Sequence, residues 1–204
     1  MSFVNLHTHS SYSPMWGVPP VEALCQAAAE QRQEFLAVTD TNGLYGAIRF
    51  LEVAREHGLK PIIGAELVSG PHRAVLLAKN PTGYANLCLI LSARHCDESF
   101  DFIQTVAQHR TGLVLLSDDP VALIAWQAES RNDLYVELTP GPTLQDALVL
   151  SRRLRLPPVA TTRAAFLHPA DYQAHRLLRA IAENTTLSRL KPDHCALPSH
   201  WLMP

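Results

Sequence analysis

The sequence predicts an α/β protein in which apolar strands alternate with amphipathic helices, and it favours a compact, irregular barrel over an open sheet. Three observations support this prediction. The strand-like runs are uniformly apolar, which is typical of strands that helices cover on both faces. Helical stretches separate most of these runs, which favours parallel pairing. About seven strand–helix units fit into the 204 residues, a length sufficient for one sizeable core.

Seven short apolar runs are predicted to be strands. They are Phe3–Leu6, Phe35–Thr39, Pro61–Ala65, Ala74–Ala78, Leu113–Leu116, Leu134–Leu138 and Val159–Thr161. In folds of this kind the reactive side chains lie where strands end and loops begin. The residues that follow the strands are therefore the first candidates for a functional site.

The helices are predicted from apolar stripes and from residues that favour helix ends. The first helix follows Pro19-Pro20, because proline suits the first turn, and the second ends at Gly58, because glycine favours helix ends. Their apolar stripes are Val21, Leu24, Cys25 and Ala28, and Ile48, Leu51, Val53 and Ala54. Five further helices are predicted over Tyr84–Leu91, Asp101–His109, Pro120–Glu129, Thr143–Leu154 and Pro169–Glu183.

The composition narrows the class of protein. The net charge of −2 argues against a domain that binds nucleic acid by itself, because such domains usually have more basic than acidic residues. No apolar run is long enough to span a bilayer, and the N-terminus lacks a signal pattern. The four cysteines are scattered, without zinc-ribbon or disulfide spacing. We therefore expect a cytoplasmic protein that contacts nucleic acid only indirectly.

Four residues that commonly bind metals follow three successive predicted strands. His7 and His9 follow the first, Asp40 the second and Glu66 the third. Neutral imidazole suits zinc, manganese or iron, and carboxylates can bridge two such ions. A two-metal clamp stabilises in-line attack on phosphate, so this set of residues points to phosphoester hydrolysis.

Each of these residues also has a plainer interpretation. Ten histidines in 204 residues make a His-x-His pair common by chance, so His7 and His9 are equally compatible with surface or core histidines. Asp40 is suited to starting a turn or capping a helix. Glu66 has apolar neighbours at a predicted strand end, where a carboxylate needs a partner.

Six blocks of the sequence carry a family resemblance. They are NLHTHSSYS, FLAVTDTNGLYGAIRFLEVAREHGLKPIIGAEL, VLLAKNPTGYANLCLILS, GLVLLS, LYVEL and PPVATTRAAFLHPADYQAHRLLRAIAENTTL. In this order and spacing they resemble the polymerase and histidinol phosphatase (PHP) domain, above all the branch at the N-terminus of bacterial DNA polymerase III α subunits. The resemblance implies a single domain over residues 1–204, with a family-specific extension from about residue 185. It also implies a distorted seven-stranded β/α barrel of the TIM type.

The resemblance covers nearly the whole chain and implies a reduced metal site. Family members carry a cluster of metal ligands that supports phosphoesterase or 3′–5′ exonuclease activity. His7, His9, Asp40 and Glu66 match that pattern, whereas five expected ligands are replaced by Trp16, Thr41, Arg73, Arg163 and Ala165. Two weaker ligand candidates are His72, which adjoins Arg73, and Asp119, which aligns near a cysteine ligand position.

The two arginines change the chemistry expected of the site. Arginine stays protonated and cannot coordinate a cation. We expect Arg73 and Arg163 to replace metal charge by pairing with Asp40 and Glu66, or to bind substrate phosphate. A full trinuclear site is not expected. One weakly held zinc or manganese ion, or none, is compatible with the ligands that are left.

Three functions are compatible with these residues. The favoured one is the PHP domain of a DNA polymerase III α-like replication protein, with a degenerate metal site and a mainly scaffolding role. Such a chain is an N-terminal fragment or a detached relative of the subunit, and its partners are the polymerase domains of a full-length chain or a replisome or proofreading partner. The alternatives are an active metal-dependent phosphoesterase or 3′–5′ exonuclease on nucleic-acid ends, and a free-standing phosphatase of a small metabolite. The sequence leaves open whether the domain by itself is an enzyme.

Overall fold

The structure is a computed structural model that describes residues 3–204. Its strands are β1 (Phe35–Val38), β2 (Lys60–Ser69), β3 (His72–Ala78), β4 (Leu113–Ser117), β5 (Leu134–Leu138) and β6 (Pro158–Ala160). Its helices are α1 (Val21–Glu30), α2 (Ala47–Glu56), α3 (Pro81–Cys96), α4 (Phe102–His109), α5 (Pro120–Glu129), α6 (Leu144–Leu154) and α7 (Tyr172–Ala182). None of the helices in the described residues is long and apolar enough to cross a membrane.

The strands form one sheet in the order β1-β2-β3-β4-β5-β6. β4, β5 and β6 pair in parallel, but β3 runs antiparallel to both β2 and β4. The expectation of a parallel sheet is therefore wrong around β3. Only Gly70 and Pro71 separate β2 from β3, and a two-residue loop closes an antiparallel hairpin, whereas a parallel crossover needs a dozen residues or more. Gly70 has a φ of +56°, which glycine adopts readily in such a turn.

The stretch predicted as the first strand, Phe3–Leu6, forms isolated bridges instead of a regular strand. The carbonyl of Asn5 accepts a hydrogen bond from the Ala37 amide at 3.0 Å, and the carbonyl of Thr8 accepts one from the Thr39 amide at 2.8 Å. Between these two hydrogen bonds the chain advances by three residues, from Asn5 to Thr8, whereas the neighbouring segment advances by only two, from Ala37 to Thr39. The extra residue interrupts the ladder in the manner of a β-bulge. The described residues consequently form six strands where seven were expected.

The chain divides into two compact units, which we describe separately. The first contains the residues up to Asp40, then Leu44–Ile62, then the residues from Thr162 onward. Its core includes the buried faces of α1 and α2, which pack on each other. Among the side chains removed from solvent are Leu24 and Phe50, and burying each one stabilises the fold by about 1.5–3 kcal/mol.

The second unit contains residues 41–43 and 63–161. Trp126 on α5 is fully buried, stacks on Phe102 at a ring-centroid distance of 5.7 Å, and donates its indole N–H to the Ile103 carbonyl at 3.0 Å. The preceding Asp119 caps α5 by accepting from the Val121 amide at 2.9 Å. This capping fixes the start of the helix immediately after β4.

Candidate metal centre

His7 and His9 are buried in the first unit. The Ala164 amide donates to the His7 carbonyl at 3.0 Å, and the His9 amide donates to the Ala164 carbonyl at 2.8 Å. This extended pairing places the two imidazoles on the same side of the chain, since alternate residues share a face. Their ring centroids are 5.0 Å apart.

Asp40 is a buried hydrogen-bond acceptor for the loop that follows the two histidines. The Ser10 amide and the Ser13 hydroxyl both donate to Oδ1 at 2.7 Å, and the Ser10 hydroxyl donates to Oδ2 at 2.7 Å. Burial raises the pKa of the Asp40 carboxyl, and the hydrogen bonds from Ser13 and Ser10 oppose that rise. Neither Ser10 nor Ser13 is singled out by the sequence, because a serine gives no local indication of a partner some 30 positions away.

Gly17 allows the same loop to close tightly. A Cβ atom at this position would lie 1.9 Å from the Ser10 carbonyl oxygen, so only glycine fits without displacing the backbone. The Gly17 amide donates to the Ser13 carbonyl at 3.1 Å. The turn that carries Ser10 and Ser13 is thereby held in one conformation.

Glu66 lies inside β2 of the second unit and not at a strand end as predicted. Its side chain is only 2% exposed, and Oε2 accepts a hydrogen bond from the Thr41 hydroxyl at 2.9 Å. The Asn42 amide donates to the Glu66 carbonyl at 2.8 Å. Thr41, at a position where the resemblance predicts a histidine, thus orients this carboxylate.

Arg73 supplies a positive charge beside Glu66, with Nε 4.0 Å from Oε1. Its hydrogen bonds go to a residue that the sequence did not single out: Nη2 donates to both carboxylate oxygens of Asp118 at 2.8 Å. Burial acts to lower the pKa of Arg73, but the carboxylates of Asp118, Glu137 and Glu66 outweigh it and hold the pKa above its usual value. Arg73 is therefore a fixed cation among three acidic residues.

His72 and Asp119, the two weaker ligand candidates, bind each other in the second unit. His72 Nδ1 lies 2.6 Å from Asp119 Oδ2, and the His72 ring stacks on Phe102 at 5.4 Å. As adjacent residues of β3, His72 and Arg73 project from opposite faces of the strand. The Asp119 carboxylate also caps α5, as described above.

Trp16 stands where the resemblance predicts an acidic ligand. Two arginine guanidinium groups lie against its ring. The Cζ atoms of Arg163 and Arg179 lie 5.4 and 5.2 Å from the ring centroid. Cations over an indole face gain about 0.5–2 kcal/mol from the ring quadrupole. Arg163 has a φ of +48°, which is uncommon for a residue other than glycine.

His175 is a fully buried residue that no local sequence pattern indicates. Its Nε2 accepts from the Ala196 amide at 2.8 Å, so Nδ1 carries the proton of the neutral ring and donates to the Trp16 carbonyl at 2.8 Å. Burial lowers the pKa of His175, the hydrogen bond to the Trp16 carbonyl partly opposes that effect, and the neighbouring Arg179 lowers the pKa by a smaller amount. The neutral form is thus the one that the fold accommodates.

We expect His175 to make stability fall in mild acid. The unfolded chain takes up this proton at higher pH than the folded chain, so the stabilisation is complete above pH 6.5 and declines as the pH falls below that value. The free energy of unfolding, measured in urea, should fall less between about pH 7.5 and about pH 5.5 in His175→Phe than in the wild type. The difference between the two proteins should be at most about 1.4 kcal/mol per pH unit. An unchanged pH dependence in this variant would refute the assignment. The exposed His57, changed to alanine, is the control.

His7, His9 and Glu66 form a group that could hold a metal ion. All three are buried, and one potential ligand atom from each lies within 4.8 Å of the others. Two imidazole nitrogens and one carboxylate oxygen are a donor set that zinc and manganese accept. Among the described residues, Asp40, His72 and Asp119 do not belong to this group.

These features define an α/β protein with a candidate metal centre built from two histidines and one glutamate. The family model described as "PHP domain" matches residues 5–138. The chain belongs to the PHP domain family, as the resemblance of its motifs implies.

Similar proteins include DNA polymerase subunits. The chain is 29% identical to the DNA polymerase III subunit alpha of Pasteurella multocida over 91% of its own length, and 31% identical to that of Buchnera aphidicola subsp. Schizaphis graminum over 93%. It spans only 19% of the length of each of these subunits. It is also 45% identical to an error-prone DNA polymerase of Symbiobacterium thermophilum, over 47% of this chain and 9% of that protein.

Solved structures share the fold at low sequence identity. A candidate metal-dependent phosphoesterase of Bifidobacterium adolescentis matches with a TM-score of 0.55 and 13% identity, over 78% of this chain and 86% of that one. An amidohydrolase from Chromobacterium violaceum, with bound sulfate and no metal, matches with a TM-score of 0.51 and 16% identity, over 78% and 87%. At these identities the similarity concerns the fold alone.

Proposed function

We propose that this chain is the PHP domain of a DNA polymerase III α-type replication protein and that its role there is mainly structural. The similarity to polymerase subunits over more than nine-tenths of the chain carries this proposal. Its partners are then polymerase domains of a longer chain or another replication protein, in the cytoplasm. The net charge of −2 supports indirect contact with DNA, since a domain that bound DNA by itself would carry a basic excess.

The fold proposed for this function is the distorted seven-stranded barrel of the family. Residues 5–8 take the place of the first strand in it. In support, Asn5 bridges Leu36 and Thr8 bridges Ala164, both in parallel. This stretch therefore has a neighbour on each side, as a strand in a closed sheet does.

The metal site proposed for the domain is reduced to one ion. His7, His9 and Glu66 would hold zinc or manganese, which when bound polarises a phosphate oxygen as a Lewis acid. Thr41 orients Glu66 through its hydroxyl, and Arg73 supplies a permanent positive charge beside that carboxylate. Arg163 supplies a second such charge against Trp16. The two arginines thus supply positive charge that additional metal ions would otherwise supply.

A structural role is favoured because a single ion cannot form the two-metal clamp. In such a clamp, a pair of ions stabilises both the attacking and the leaving oxygen of an in-line displacement. Arg163 and Ala165 have no group that can coordinate a cation, and the Trp16 ring lies against guanidinium groups. The buried His7, His9 and Glu66 group favours a second candidate function, a metal-dependent phosphoesterase acting on nucleic-acid ends.

Metal analysis combined with a phosphodiester assay separates the two functions. The purified chain is incubated with Mn²⁺ or Zn²⁺, freed of excess metal, and assayed on a chromogenic phosphodiester and on a single-stranded oligonucleotide. We expect no more than one ion per chain and no turnover above that of His9→Ala. Turnover that is present in the wild type and lost in His9→Ala would contradict the structural role and favour the phosphoesterase.

A further inference from the structure

Ser13 stands between a candidate metal ligand and a carboxylate. Its hydroxyl oxygen lies 2.7 Å from Asp40 Oδ1 and 3.2 Å from His9 Nδ1. Ser13, His9 and Asp40 are all buried. The three side chains therefore form a continuous hydrogen-bonded chain within the first unit, from the carboxylate through the hydroxyl to the imidazole.

The direction of these hydrogen bonds follows from Asp40. Its Oδ1 already accepts from the Ser10 amide at 2.7 Å, so Oδ1 is an acceptor whether or not Oδ2 carries a proton. The Ser13 hydroxyl has one proton and must give it to Oδ1. In the contact between Ser13 and His9, the imidazole therefore carries a proton on Nδ1 and donates it to the Ser13 hydroxyl oxygen. In the neutral ring the lone pair consequently lies on Nε2.

We propose that Ser13, oriented by Asp40, is a positioning residue that holds His9 with its proton on Nδ1 and its lone pair on Nε2, ready to bind a cation. Asp40 then serves the metal centre through Ser13 and does not coordinate the ion itself. The inference deepens the proposed function and rests on His9 being a ligand. The same logic governs metal-binding histidines elsewhere, whose second ring nitrogen donates to a partner that fixes the tautomer and the ring orientation.

A matched set of variants isolates this role. Ser13→Ala removes the acceptor for His9 Nδ1, and Asp40→Ala removes the group that orients Ser13. Asp40→Asn is the informative control, because its amide oxygen can still accept from Ser10 and Ser13 at the position of Oδ1. Its amide nitrogen can donate to the Ser10 hydroxyl, which donates to Oδ2 in the wild type. A direct ligand replaced by an amide would instead lose most of its affinity for the ion.

The test reads the tautomer and the metal affinity separately on the full chain. Long-range ¹H–¹⁵N spectra of the metal-free protein report which ring nitrogen of His9 is protonated, and titration with Zn²⁺ reports affinity. We expect the Nδ1–H tautomer in the wild type and in Asp40→Asn, and its loss in Ser13→Ala. Zn²⁺ affinity should fall by roughly 10–100-fold in Ser13→Ala and Asp40→Ala, but by less than about threefold in Asp40→Asn.

Two results would overturn the proposal. One is a wild-type His9 that carries its proton on Nε2 in the metal-free chain at neutral pH. The other is an Asp40→Asn variant that keeps the Nδ1–H tautomer but loses Zn²⁺ as completely as His9→Ala, because Asp40 would then be a direct ligand. The tautomer is read without metal in the wild type, so it tests Ser13 even if a variant does not fold. A wild type with the Nδ1–H tautomer but no affinity for metal would refute the proposed metal site and leave the positioning by Ser13 intact.

Discussion

Replacing His9 with alanine is expected to lower the affinity of the chain for Zn²⁺ by more than about 100-fold. The substitution removes one of the three groups that can share an ion. Loss of an outer partner of a metal ligand alone costs 10–100-fold in affinity, so loss of the ligand itself should cost more. A factor of 100 corresponds to about 2.8 kcal/mol of binding free energy.

The measurement is competition for Zn²⁺ against a chromophoric chelator, with His57→Ala as the matched control. His57 is an exposed histidine at the C-terminal end of α2 and should leave the affinity unchanged. His7→Ala and Glu66→Gln should behave as His9→Ala does. Equal affinities in the wild type and in His9→Ala would show that the group does not hold the metal.

Replacing Arg73 with methionine is expected to destabilise the protein by about 3–5 kcal/mol, because it removes a buried cation that lies beside carboxylates in the interior. Methionine retains much of the side-chain volume, so the change is mainly one of charge. Glu66 and Glu137 are only 2% and 1% exposed, and both contribute with Asp118 to the field at Arg73. The loss is measured as the free energy of unfolding in urea.

Lys79→Met provides the comparison, because Lys79 forms an exposed ion pair with Asp133 at 2.8 Å in the same unit. Exposed pairs contribute at most about 1 kcal/mol, so this variant should remain close to the wild type. An Arg73→Met variant no less stable than Lys79→Met would contradict the assignment of Arg73 as the cation that neutralises these carboxylates.

Local sequence determined several elements well. Helix α5 coincides with the predicted range Pro120–Glu129. In the structure Asp119 caps its N-terminus, and Pro120 suits the first turn. Strand β5 is also predicted to the residue, as Leu134–Leu138. The hairpin of β2 and β3 was missed, because the apolar pattern reports burial and not strand direction. The stretch Phe3–Leu6 was predicted as a regular strand and forms only isolated bridges, because apolar patterning does not report a bulge.

The candidate site was predictable to a different degree for each residue. His7, His9 and Glu66 follow from residue type and from their places near predicted strands. The bond between Arg73 and Asp118 spans 45 positions, and the contact between His175 and Trp16 spans 159. Such partners depend on tertiary packing, which local patterns do not encode.

The domain is expected to hold a single ion on a reduced set of ligands. Anomalous diffraction at the zinc edge, from crystals of this chain grown with Zn²⁺, counts the ions and identifies their ligands. We expect one strong peak, coordinated by His7, His9 and Glu66. A cluster of two or three ions at that position, or zinc bound elsewhere with these three residues unligated, would refute the single-ion site.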